Sequence, residues 1–89
     1  MRLDLFLKAS RLAPRRTVAQ RLCEAGRVKV NGHPAKSSHV VKAGDEIVME
    51  TPARFKRAQV LAVPDSRQTS RKEALTLIEV LEDHALSTD

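Results

Sequence analysis

The sequence predicts an α+β fold: two N-terminal helices packed on a small antiparallel sheet, with a further helix at the C-terminus. Three observations carry that reading. Apolar residues recur at helical spacing up to Ala25, the period changes to two directly after Gly26, and Asn31-Gly32 stands between two short β-prone runs, which is a strong hairpin signal. At 89 residues the chain holds one domain's worth of core and has no room for a multi-domain enzyme.

In the first helix, Leu3, Phe6, Leu7 and Ser10 share a face at i, i+3, i+4 and i+7. Asp4, Lys8 and Arg11 fall on the other face, where Asp4 can pair with Lys8 one turn on or orient Arg2. Ala13-Pro14 ends this helix, because proline disfavours a helical residue before it yet suits the first turn of the next helix. The second helix is expected over 15–25, with Thr17 to Gln20 in capping-box spacing. Its apolar stripe, Val18, Ala19, Leu22 and Cys23, stops before Gly26, a natural C′ residue.

Beyond Gly26, Arg27-Val28-Lys29-Val30 alternates cation and β-branched residue, so the valines belong to the core and the two cations to one sheet face. The return strand is short because Pro34 has no ladder N–H and belongs on an edge. Further strands are expected at Val40-Val41, 46–50 and 55–63. Residues 64–68 read as a polar linker, followed by a second capping box, Ser70 to Glu73. Ala74, Leu75, Leu77, Ile78 and Leu81 then make a stripe that predicts the C-terminal amphipathic helix.

Charge narrows the partner. The chain is 42% hydrophobic and 30% charged, which is neither a disordered nor a membrane composition, and its net charge is +5. Residues 1–36 carry nine Lys/Arg against two Asp/Glu, whereas residues 58–89 carry three against six. A polyanion site therefore belongs in the first third, and nucleic acid leads over an anionic membrane. Phe6 and Phe55 are the only aromatics, so there is no row of rings for stacking bases, and recognition should run through phosphates and duplex shape.

Arg15 and Arg16 stand at a helix N-terminus, where free N–H groups and the helix dipole favour a phosphate and a guanidinium adds bidentate hydrogen bonds. Arg2, Lys8 and Arg11 carry the same argument on the first helix, and Arg27 and Lys29 extend the patch past Gly26. Lys36 and Lys42 are weaker additions, since a solvated cation is common on any surface.

Catalysis is not supported. The lone Cys23 lies within an apolar stripe and reads as a buried small residue, which also excludes an internal disulfide and fits a reducing compartment. His33, His39 and His84 lack metal-ligand spacing, so neither zinc nor another cofactor is expected. Glu79, Glu82 and Asp83 read as a solvated face, and there is neither a glycine-rich phosphate loop nor a nucleophile triad. No run approaches the ~18 apolar residues of a membrane span, and a cytoplasmic location is expected.

The pattern Arg2-Leu3-Asp4-x-x-Leu7, then Arg16-x-x-Ala19-x-x-Leu22-x-x-x-Gly26-x-Val28-x-Val30-Asn31-Gly32, resembles the S-four domain, the αL RNA-binding motif. The resemblance covers residues 1–50 and implies that both helices and the glycine-to-hairpin corner form a basic concave surface for structured RNA, with Arg2 and Arg16 as motif residues. It divides the chain into an RNA-binding domain at 1–63 and, at 64–89, a linker with an amphipathic helix. The remainder is similar to the tails of stand-alone members, among them a heat-shock-type ribosome-binding factor and a shorter ribosome quality-control factor, which the length and opening residues favour. That implies binding to a dissociated large ribosomal subunit carrying peptidyl-tRNA, with contacts to rRNA and tRNA and a nascent-chain tailing factor as a further partner, by a monomer with no membrane contact. The alternatives are a heat-shock-type recycling role and, against the Asn-Gly hairpin, a small helix-turn-helix DNA regulator.

Overall fold

The structure is a computed structural model that describes residues 1–66 and 68–86. Helix α1, Leu3–Ala9, buries Leu3, Phe6, Leu7 and Ala9 and is followed at Arg11 by a left-handed residue (φ 65°) that turns the chain toward α2. Helix α2, Arg16–Glu24, ends in a Schellman motif: Gly26 takes φ 72°, its N–H donates to the Cys23 carbonyl, and Arg27 N–H donates to the Leu22 carbonyl. That closure reverses the chain into the sheet.

Strands β1 (Val28–Val30) and β2 (His33–Pro34) form a two-residue hairpin in which Asn31 and Gly32 both have positive φ, 53° and 85°. A type I′ turn requires this combination and matches the twist of paired strands. Strands β3 (Glu46–Glu50) and β4 (Arg54–Val60) follow, then one turn of helix, α3 (Arg71–Ala74), and β5 (Ile78–Ala85). All pairings are antiparallel and the sheet order is β2-β1-β3-β4-β5. One face, carrying Val28, Val30, Ile47, Met49, Ala58 and Val60, packs beneath α1 and α2 as the core. On the other face the Phe55 and His84 rings stack 5.3 Å apart across β4 and β5.

The α+β class and the antiparallel sheet agree with the sequence reading, and four details correct it. The C-terminal helix is only one turn long: Ser70 does cap it, its hydroxyl accepting from Glu73 N–H, but Ile78–Ala85 is a strand paired along β4. The boundary at residue 63 disappears with that helix, because β5 extends the same sheet and Leu77 enters the same core. Val40-Val41 forms no strand. Val40 makes an isolated bridge to Arg2, and Val41 N–H donates to the Met1 carbonyl, tying this loop to the N-terminus. Finally, α2 begins at Arg16, with Arg15 as an N-cap lacking a side-chain hydrogen bond, so the capping box at Thr17 does not form.

Candidate nucleic-acid interface

At the junction of α1 and α2 sits Asp4, fully buried although the helical period placed it on the outer face. The loop carrying Ser37 and His39 covers the start of α1, its carbonyls accepting from the N–H groups of Asp4 and Leu3. Leu5 N–H donates to Oδ1 of Asp4 at 2.8 Å, and Gln20 Nε2 and Arg16 Nε donate to Oδ2 at 3.0 and 3.1 Å. Arg2 Nε approaches Oδ1 at 3.3 Å. The expected Asp4–Lys8 pair does not form, because the carboxylate turns inward to α2.

Burial by itself would raise the Asp4 pKa. The hydrogen bonds from Gln20, Arg16 and the Leu5 N–H, with the Arg16 charge, outweigh that effect and hold the carboxyl below its ordinary value. Asp4 therefore stays ionised while touching two guanidinium groups, so the triad keeps one net positive charge. Both arginines also reach solvent, their side chains 44% and 38% accessible. Gln20 was not foreseen as part of this site. Its signal is its position four residues after Arg16, on the same flank of α2.

The other candidate cations are dispersed. Arg15 is exposed at the α2 N-cap, next to Arg16. No side chain caps this helix, and among the described residues the N–H groups of Arg16, Thr17 and Val18 have no protein acceptor. Lys8 and Arg11 line a neighbouring cleft with Pro14, Gln68 and Thr69. There the Arg11 guanidinium donates to the Thr69 carbonyl at 2.8 Å, and the Thr69 hydroxyl donates to the Ala9 carbonyl. Arg11 thus also straps the segment before α3 onto α1.

Arg27 is exposed just past the Gly26 corner, but Lys29 points away from the helices, because Val28 and Val30 take the inward positions of β1. Lys36 lies beside Cys23 and Glu24, at the opposite end of α2 from Arg16. Lys42 belongs to the turn before β3, where its backbone N–H donates to the Asp45 carboxylate. The structure therefore joins Arg2 and Arg16 through Asp4 with Arg15 exposed next in the chain, carries Lys8 on α1 and Arg11 just after it, and leaves Lys29 and Lys36 outside the cluster.

Cys23 is buried, and burial followed by the nearby Asp4 and Glu24 charges pushes its thiol up, away from the reactive thiolate. Among the described residues no three His, Cys, Asp or Glu side chains gather as a metal site would require, and no helix is long and apolar enough to cross a membrane.

Comparison with known proteins gives the family. Residues 1–47 match the S4 domain family model, which together with the fold defines a small S4-type RNA-binding protein. Over 88 residues the chain is 47% identical to the RQC P-site tRNA stabilizing factor of Halalkalibacterium halodurans, covering 98% of this chain and 97% of that protein. The factor of the same name in Bacillus subtilis is 40% identical over 86 residues, covering 97% and 98%. The chain belongs to this family of ribosome quality-control (RQC) S4-domain factors. Its fold also superimposes on the trimeric structure of Vibrio cholerae heat shock protein 15, with a TM-score of 0.81 at 31% identity over 90% of this chain and 80% of that one.

Proposed function

We propose that the protein binds a dissociated large ribosomal subunit still carrying peptidyl-tRNA, touches both rRNA and tRNA, and holds the tRNA in place while the stalled chain is tailed and released. The observation that carries this reading is the buried Asp4 carboxylate, which fixes Arg2 and Arg16 side by side before any ligand arrives. Arg16 is held through Nε, leaving its terminal nitrogens to take a phosphate oxygen at the uncapped start of α2. Pre-ordering such a side chain removes about 0.5–1.5 kcal/mol of immobilisation cost from binding.

Arg15, Lys8 and Arg11 extend that grip along the same edge. Arg27, just past the Gly26 corner, and Lys29 and Lys36, outside the cluster, suit contacts with a second RNA segment. The role is one of binding without catalysis, in the cytoplasm where ribosomes work, and the large-subunit RNA, peptidyl-tRNA and a tailing factor are the proposed partners of a monomeric chain. The test is co-sedimentation of Arg16→Ala and Arg71→Ala with isolated peptidyl-tRNA-bearing large subunits at fixed salt, alongside melting curves. Losing one charge-assisted contact costs about 1.5–3 kcal/mol, so Arg16→Ala should lose roughly ten- to a hundredfold in affinity and Arg71→Ala almost none. Equal losses would mean diffuse charge attraction and sink the proposal.

The likeness to heat shock protein 15 favours a second reading, in which the protein recycles the blocked subunit without assisting tailing. A reconstituted tailing reaction decides between them: stimulation by added protein supports the first reading, and tRNA release without stimulation supports the second.

A further inference from the structure

On the flank of α2 opposite Arg16 and Gln20 lies an open groove. Val18 stands about 200° and Leu22 about 240° around the helix from Arg16, one turn apart from each other, and both line the groove. Leu12, Ala13 and Pro14 from the α1–α2 connection close one end, Met49 forms the floor, and Thr51, Arg54 and Lys56 line the sheet side. The groove is predominantly apolar, with two cations and no anion among its lining residues. Asp83 fixes both cations from outside the lining, at 2.7 Å from Arg54 Nε and 3.6 Å from Lys56 Nζ.

We infer that this groove receives one unstacked base of the bound RNA, while the uncapped start of α2 holds an adjacent phosphate. This deepens the RNA-binding reading above and rests on it. The charge of the rim selects the occupant. Arg54 and Lys56 share the single Asp83 carboxylate, so the rim keeps one positive charge beside an apolar slot, which fits a flat ring system attached to an anionic backbone. Size agrees, since about 270 Å³ is just below the ~300–1,000 Å³ of pockets that enclose a whole drug-sized ligand, and it suits one ring system rather than several. Placement agrees too: Pro14 lines the groove and Arg15, the next residue, is the N-cap, while Val18 supplies both a free first-turn N–H and a groove wall. With no aromatic side chain in the lining, the base would meet aliphatic carbon and the Met49 thioether, which favours any base over a particular one.

The test uses a synthetic RNA hairpin with 2-aminopurine in a flexible loop and, for comparison, the same stem as a loop-free duplex. The chain has no Trp or Tyr, so the probe's fluorescence is read without protein background. Titrating the full chain should raise fluorescence as the base leaves its stack, and the hairpin should bind about tenfold more tightly than the duplex. Leu22→Gln, and independently Leu12→Gln, should abolish the fluorescence rise and bring hairpin affinity to the duplex value with duplex affinity little changed, measured well below each variant's melting temperature because both leucines also pack against the core. Arg16→Ala should weaken both RNAs alike and leave the fluorescence at saturation intact.

Equal affinity for both RNAs with a flat signal overturns the inference and leaves the RNA-binding reading standing. Failure to bind either RNA removes that reading instead. A fluorescence rise that survives both groove variants puts the base elsewhere and also overturns the inference. So does an outcome in which the variants bind RNA normally but fall off intact large subunits, because the groove would then serve a protein.

Discussion

Asp4 and Arg16 meet at 3.1 Å across the α1–α2 junction, a carboxylate with no accessible surface holding a guanidinium that still reaches solvent. The pair couples the stability of the helical corner to the direction in which a phosphate-binding group points.

The first prediction concerns pH. Because the folded-state pKa of Asp4 lies below its ordinary 3.8, its contribution is complete above that value and is lost as pH falls through the folded pKa. In urea titrations the Asp4 contribution to wild-type stability should be lost below about pH 3.8, and Asp4→Asn should lack that part of the decline. At neutral pH Asp4→Asn should cost about 2 kcal/mol, the scale of a hydrogen bond to a charged group.

RNA affinity should fall steeply with salt. Each neutralised phosphate contributes about −0.7 to −0.9 to the slope of log K against log salt, and Arg16→Ala should flatten the slope by about one contact's worth. Filter binding across a salt series reads this directly, and affinity that persists through high salt would contradict a phosphate grip.

The tail cannot be removed without cost. The sequence pattern set residues 64–89 apart from the RNA-binding domain, yet Ala74 and Leu77 are buried and β5 pairs along the whole of β4. Truncation there should abolish the cooperative thermal transition seen by circular dichroism. A milder variant, Leu77→Ala, should lose about 2–4 kcal/mol while retaining RNA affinity under folding conditions.

The hairpin turn offers a graded test. At Gly32 (φ 85°) an added Cβ would meet no atom within 4 Å, so Gly32→Ala pays only backbone strain, about 1 kcal/mol. Asn31 does more. Its side chain accepts from Glu46 N–H at 2.9 Å and donates to Asp45 at 3.1 Å, joining the turn to the start of β3. Asn31→Ala should therefore lower the melting temperature further than Gly32→Ala does.

Much of the front half was legible because its signals are local. The Gly26 stop and the Asn31-Gly32 turn each depend on backbone conformations that few residues adopt, and Leu3, Phe6 and Leu7 mark the inner face of α1 by spacing alone. β5 was misread for a specific reason. Its pairing with β4 contains a bulge, with Arg57 opposite Glu82 and Ala58 opposite Val80, so Leu81 is an extra residue. The bulge interrupts the period of two and leaves Leu77, Ile78 and Leu81 at helical spacing. The ion pairs that help fix the strand, Arg57 with Glu82 and Arg54 with Asp83, lie across the sheet and far apart in sequence. Asp4 was misplaced for the same reason: its partners on α2 are twelve and sixteen residues away.

The bulged, carboxylate-bearing β5 also protects the protein from itself. It is the long outer strand of the sheet, and the opposite edge, β2, is two residues long and contains Pro34. An exposed outer strand is a template on which another copy can add, and sheets that join this way grow into fibres. Two β5 strands brought edge to edge would crowd Glu79, Glu82 and Asp83 against their own duplicates, and the extra residue at Leu81 would put the two ladders out of step. At the high local concentrations of a protein being synthesised, the strand that completes the fold thus also limits aggregation.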